Sequence, residues 1–244
     1  MMRFLSVFAV MGLAAGLAQA QQDAPKSAEM MMIGTNGSVV VGQPYVVQEM
    51  ITTTKTLPDG TTLTHKAEEQ KWRDSAGRFR KQTATVNANG EMVFHRAEIF
   101  DPGAHTLTTL EMDNKRAVVL HMGPQEEATR LQELLACSCQ IKARPGVQMR
   151  TEELPAKSFA GIYGVGKKTT KVRPPGTIGN DRELVSTSER YDSPELQILL
   201  YSSLDDPREK MVREVTSLQR QQPDSAMFQV PGDYTVKDLP LRQQ

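Results

Sequence analysis

Leu184-Val185-Ser186-Thr187-Ser188-Glu189-Arg190-Tyr191, then Asp192-Ser193-Pro194-Glu195, then Leu196-Gln197-Ile198-Leu199-Leu200-Tyr201-Ser202 is the stretch that decides the fold. The first and last segments carry the β-branched, aromatic and aliphatic residues of strands, and the middle one carries the Asp, Ser and Pro that favour a turn. Asp205-Asp206-Pro207-Arg208 turns the chain again, and Lys210 to Leu218 alternates Met211, Arg213, Val215 and Ser217 against Val212, Glu214, Thr216 and Leu218. Three consecutive strands joined by tight turns predict an antiparallel meander. The run closes in Phe228-Gln229-Val230-Pro231-Gly232-Asp233-Tyr234, where two aromatics spaced around a proline are expected to clamp the terminal segment onto the sheet.

The same pattern fills the N-terminal half. Tyr45 to Leu57 is rich in Val, Ile and Thr, Pro58-Asp59-Gly60 is a turn signal, and Thr61 to Asp74 returns past Trp72, the only tryptophan. Arg78 to Val86, Met92 to Phe100, Thr106 to Met112 and Arg116 to Met122 follow, separated by Ser75-Ala76-Gly77, Asn87 to Gly90, Asp101-Pro102-Gly103 and Asp113-Asn114-Lys115. That predicts about six more strands, and long twisted antiparallel sheets curl or close. One helix is expected over Gln125 to Ala136: Ala128, Leu131, Leu134 and Leu135 form an apolar stripe, Pro124 precedes it, and Glu126 and Glu127 suit its positive end. The stripe is expected to pack on the sheet. The predicted fold is therefore mainly β (α+β): a large curved antiparallel meander or half-barrel with one or two covering helices.

Gly176-Thr177-Ile178-Gly179-Asn180-Asp181, Glu189 to Leu196 and Phe228 to Tyr234, with Arg73-Asp74-Ser75-Ala76-Gly77-Arg78 upstream, resemble a family of exported bacterial proteins of uncharacterised function. More remotely, the strand, the aromatic-Asp turn, the returning strand and the closing Phe-x-x-Pro-x-x-Tyr are similar to the lipoprotein-carrier, or LolA-like, superfamily. That resemblance implies a curved half-barrel with helices over its concave face, which in several members holds acyl chains or a lipidated partner. No lipid-site motif transfers to particular residues here.

Met1-Met2-Arg3 followed by the apolar run Phe4 to Leu17 and Ala18-Gln19-Ala20 has the form of a signal peptide, with the mature chain expected to start at Gln21. The run is shorter than the ~20 residues needed to span a bilayer and has no counterpart downstream, so no integral membrane segment is expected after cleavage. The expected location is periplasmic or secreted. Residues 1–20 are read as the signal, 21–40 as a flexible leader, 41–238 as a single antiparallel β domain and 239–244 as a C-terminal tail. Basic and acidic residues balance at 29 each, so no polyanionic partner is implied.

Several chemistries are tempting and fail on spacing. Gly161-Ile162-Tyr163-Gly164-Val165-Gly166-Lys167-Lys168 approaches a phosphate-binding loop, but Lys168 stands where the metal-binding Ser or Thr belongs, and the segment runs into Pro174-Pro175-Gly176 instead of a helix. A glycine-softened strand is the better reading, and no nucleotide is expected. His65, His95, His105 and His121 fall on different strands and turns without a zinc-site pattern. Cys137-Ser138-Cys139 leaves three alternatives open: a strained disulfide, two thiols, or metal or redox chemistry. There is no Gly-x-Ser-x-Gly elbow. The acidic pairs Glu68-Glu69, Glu152-Glu153 and Asp205-Asp206 point apart on a strand and read as solvated edges. Arg73, Arg78, Arg80 and Lys81, and Lys167, Lys171 and Arg173, read as solvated strand faces, since no aromatics interleave them as in a nucleic-acid site.

These exclusions leave no catalytic, cofactor-binding or metal-binding residue to name, and the expectation is a protein that is not an enzyme. Two functions fit. One is a periplasmic binding or carrier-like protein whose curved sheet encloses an apolar ligand such as a lipid or acyl chain, which requires a pocket of at least ~300 Å³. The other is an envelope structural or interaction module whose sheet is filled by its own side chains and whose edges or loops bind a protein.

Overall fold

The structure is a computed structural model that describes residues 39–87, 89–123 and 146–240. Its strands are β1 (Tyr45–Thr56), β2 (Thr62–Arg73), β3 (Phe79–Val86), β4 (Met92–Asp101), β5 (Thr106–Glu111), β6 (Arg116–His121), β7 (Gln148–Phe159), β8 (Ile162–Arg173), β9 (Leu184–Ser193), β10 (Ile198–Asp206), β11 (Glu209–Gln219) and β12 (Thr235–Leu239). All twelve lie in one open, curved sheet in the order β12-β6-β5-β4-β3-β2-β1-β11-β10-β9-β8-β7. Two meanders, β1 to β6 and β7 to β11, are thus joined by the antiparallel pairing of β1 with β11. The turn signals act where the sequence places them: Gly60 N–H donates to Leu57 O, and Gly77 N–H donates to Asp74 O.

Three expectations need correction. The covering helices are not borne out: among the described residues the only helical element is a 3-10 turn, Ser225–Phe228, and the helix expected over 125–136 lies outside the described residues. The sheet is not purely antiparallel, because β12 runs parallel to β6, from Thr235 opposite Arg116 to Leu239 opposite Leu120. The turn expected at 192–195 falls two residues later, since β9 continues to Ser193 and β10 begins at Ile198. Gln197, at φ 53°, takes the left-handed position of that turn, and its N–H donates to Ser193 O.

Cross-strand partners project to the same face, so the register sorts the side chains of β1 to β4 and β11 into two sets. One face carries the rows Tyr45, Arg73, Phe79 and Phe100, then Val47, Lys71, Lys81 and Glu98, then Glu49, Glu69 and Thr83. Val215 stands opposite Glu49 there, and Arg213 opposite Ile51. Its apolar end joins a buried cluster of Tyr45, Val47, Phe79, Phe100, Leu196, Leu200 and Val215. The other face carries Trp72, Arg80 and Ile99 in one row and Ala97, Leu110 and Ala117 in another.

The C-terminal segment straps this second face, as the Phe228-to-Tyr234 pattern predicts. Asp224 caps the 3-10 turn by accepting from Ala226 N–H at 2.9 Å. Phe228 then buries itself against Ala97, Ile99, Leu110 and Ala117, with Met227, Val230 and Tyr234 packed beside it. Alanines on β4 and β6 leave room for the ring. Thr235 N–H donates to Lys115 O, which feeds the chain into its parallel pairing with β6.

At the far end of the sheet the curl is tight. β7 breaks register between Leu154 and Lys157, and beyond this irregularity Phe159 packs its ring 5.1 Å from Tyr191 and 5.4 Å from Tyr201. β7 thereby comes within 8 Å of β11, four strands away in the sheet order. This packing explains the glycines of β8. A Cβ on Gly166 would lie 2.4 Å from Tyr191 Cε1 and 2.7 Å from Cζ, within a ring that is 1% exposed. Gly166→Ala is therefore expected to destabilise the protein by about 1 to 3 kcal/mol, the range for overpacking a core. Urea unfolding checks this, and a wild-type midpoint would mean that Tyr191 can move aside.

Candidate functional site

The middle of the first face is ionic. Lys71 Nζ lies 2.6 Å from Glu49 Oε1 and 3.4 Å from Glu69 Oε2, and Arg213 Nη1 reaches Glu49 Oε2 at 2.8 Å and Glu69 Oε2 at 2.6 Å. Two cations and two carboxylates from β1, β2 and β11 thus close a ring, with all four side chains no more than 14% exposed. Beside it Glu98 on β4 meets Lys81 at 3.3 Å and Arg96 at 2.8 Å. Burial pushes the Glu69 carboxyl up, but Lys71 and Arg213 outweigh this and hold it below its ordinary value of 4.5. For Arg213 burial acts downward, and the two glutamates raise it in net.

The apolar end of this face continues the same compensation. Arg73 places its guanidinium 4.4 Å from the Tyr45 ring centroid and donates to the carbonyls of Gln43 at 2.9 Å and Leu196 at 2.8 Å. The Tyr45 hydroxyl is pushed up to about 12, chiefly by burial, with Arg73 opposing and Glu49 adding to the shift. Further along the sheet, Asp206 accepts from Arg173 at 3.3 Å and from Arg208 at 3.1 Å.

Several residues read as solvated strand faces or edges are therefore inside. Glu69 and Asp206 belong to acidic pairs but are buried, as are Arg73, Arg80 and Lys81. The physical reason is pairing across strands: each meets an opposite charge or backbone carbonyl from a segment distant in sequence. The opposed-direction reading of adjacent acids does hold: Glu68 accepts from Gln70 Nε2 while Glu69 enters the ionic ring. Glu49, Lys71, Glu98 and Arg213 were not singled out from the sequence. Their one signal is period two, since Glu49 continues the inward positions of Tyr45 and Val47.

The remaining sequence-named groups stay apart. His95 pairs with Asp113 at an exposed position and the half-buried His121 pairs with Asp238, and no cluster of three metal-ligating groups occurs among the described residues. Cys137 and Cys139 lie outside the described residues. Gly161 to Lys168 forms the β7–β8 turn and the first half of β8, so the glycine-softened strand is what the structure has. No helix among the described residues is long and apolar enough to cross a membrane.

The outer edge of the sheet is a different surface. Among the described residues no strand lies beyond β7, and its residues Gln148 to Glu153 are all exposed. Across the edge the charges alternate: Glu152 faces Lys168, and Lys168 faces Glu189 with Nζ 3.8 Å from Oε1. Arg150 lies on the same strand face as Glu152, 3.7 Å from it, with its side chain 83% exposed. The opposite edge, β12, is five residues long.

No protein-family model matches the chain, and no curated protein matches it in sequence. The chain is similar to a LolA superfamily protein from Nitrosomonas europaea at 8% identity and a TM-score of 0.33, over 85% of this chain and 98% of that one. It is similar to LprF from Mycobacterium bovis at 13% identity and a TM-score of 0.33, over 87% and 99%. MucB is similar at 10% identity and a TM-score of 0.36, over 87% of this chain, which spans 65% of the MucB chain.

Proposed function

We propose that this chain is an exported, non-enzymatic binding protein that engages another polypeptide at the open edges of its sheet. The observation that supports this reading is the ionic ring of Glu49, Glu69, Lys71 and Arg213, with Glu98, Lys81 and Arg96 beside it. An acyl chain laid across that face would rest on fixed ion pairs and gain little from leaving water. The other face of β3 to β6 is already covered by Phe228 and the segment that follows it. What remains is the edge, where unpaired backbone N–H and C=O groups bind an added strand and side chains select it.

A second reading is an apolar-ligand carrier, the finer sense of the LolA-like resemblance. It draws on the cluster at one end of the sheet, where Val39, Met122 and Leu218 are partly buried. Native mass spectrometry of protein purified from its own host without detergent separates the two. The expected result is polypeptide mass alone; a stoichiometric lipid or fatty acid on the protein overturns the edge-binding reading in favour of the carrier.

A further inference from the structure

We propose that β7 pairs with β7 of a second copy of this chain, antiparallel and about a two-fold axis at Thr151, so that two sheets become one. The inference rests on the edge-binding reading and names the partner of that edge. The pairing run is Gln148 to Leu154, ahead of the register break and of Pro155, whose missing N–H ends any ladder. An isologous contact must be self-complementary, and this run is. With Thr151 facing Thr151, Arg150 of each copy faces Glu152 of the other, Met149 faces Glu153 and Gln148 faces Leu154.

The neighbouring registers are worse on charge alone. Centring on Arg150 sets arginine against arginine, and centring on Glu152 or Glu153 sets glutamate against glutamate, where like charges directly opposite destabilise. The favoured register also extends a pattern already built into the sheet. Glu152 faces Lys168, which faces Glu189; an incoming Arg150 on the free side of Glu152 continues the alternation of sign by one strand. Within one chain Arg150 and Glu152 are only loosely joined, at 3.7 Å, so both remain available. The seven-residue ladder would add roughly six to eight backbone hydrogen bonds.

The test uses the mature full-length chain in native mass spectrometry and sedimentation velocity. A dimer is expected. Arg150→Glu alone, or Glu152→Arg alone, should weaken it by about tenfold or more, since each places two like-charge pairs across the axis. The double variant Arg150→Glu with Glu152→Arg should restore it, which a general loss of folding cannot mimic. In a Cys137→Ser, Cys139→Ser background, Thr151→Cys should form an interchain disulfide under mild oxidation, because facing residues of antiparallel strands lie within disulfide reach. A monomer at every concentration, or a dimer indifferent to both single charge reversals, overturns the proposal. A lipid-free monomer would overturn the self-pairing and leave the edge-binding reading standing; a lipid-loaded monomer would overturn both.

Discussion

Replacing Arg213 by methionine is expected to destabilise the protein by about 3 to 5 kcal/mol, the range for removing one partner of a buried ion pair. Arg213 contacts Glu49 and Glu69 at once, and the truncation leaves two buried carboxylates sharing only Lys71. Chemical denaturation at neutral pH checks this, and a loss under 1 kcal/mol would show that water enters the face. Removing the charges together is a different experiment. Arg213→Met with Glu69→Gln should recover much of the loss, because the Lys71–Glu49 pair that remains, at 2.6 Å, is neutral in net and leaves no uncompensated ion. The ring also sets an acid sensitivity. Glu69 has its folded-state value held below the ordinary 4.5, so its contribution is complete above that value and is lost as pH falls through the lower, folded one. Stability measured from neutral pH downward should therefore hold until the carboxylate range and then fall, and the fall should shrink in Glu69→Gln.

Phe228→Ala is expected to cost about 3 to 5 kcal/mol, as for truncating a core phenylalanine. The ring is 7% exposed, packs on Ala97, Ile99, Leu110 and Ala117, and lies 4.9 Å from the Arg78 guanidinium. Because alanines line its seat, little can collapse into the space it leaves. The loss should spread, since the same segment delivers β12 to β6 and holds Asp233 2.8 Å from Lys115 Nζ. Cooperative unfolding at a lower Tm is the expected result, with Tyr234→Ala shifting it in the same direction. A segment acting as a detachable flap would leave Tm within a degree or two in both variants, and that outcome would refute its role as an anchor.

Much of the fold was legible because its signals are local. β1 begins at Tyr45, β4 at Met92 and β6 at Arg116, at the first residues expected from alternation and turn chemistry. The bounds of β7 do not follow from the sequence, although Glu152-Glu153 reads as part of a strand. Its Gln148-Met149-Arg150-Thr151-Glu152-Glu153 sequence has no buried face to impose an apolar period, because all six residues are exposed on a strand that, among the described residues, pairs with β8 alone. β12 was not foreseen, since five mostly exposed residues become a strand only by docking on β6.

The candidate sites divide in the same way. Glu152, Glu153 and Lys168 were correctly read as lying on strands, but that Glu152 meets Lys168 on an outermost edge follows from the sheet order. The ionic ring joins Glu49 and Arg213, which are 164 residues apart. No periodicity relates them.

By itself, the sequence determined a mainly β chain of tight hairpins with a closing aromatic segment, because strand alternation and turn residues act over a few positions. Only the tertiary structure decided the joining of the two meanders through β1 and β11, the burial of charges that composition places on a surface, and the place of β7 at the end of the sheet order among the described residues. A charged side chain can enter a core when its counter-charge is already there, and which strands bring the two together is a property of the whole sheet.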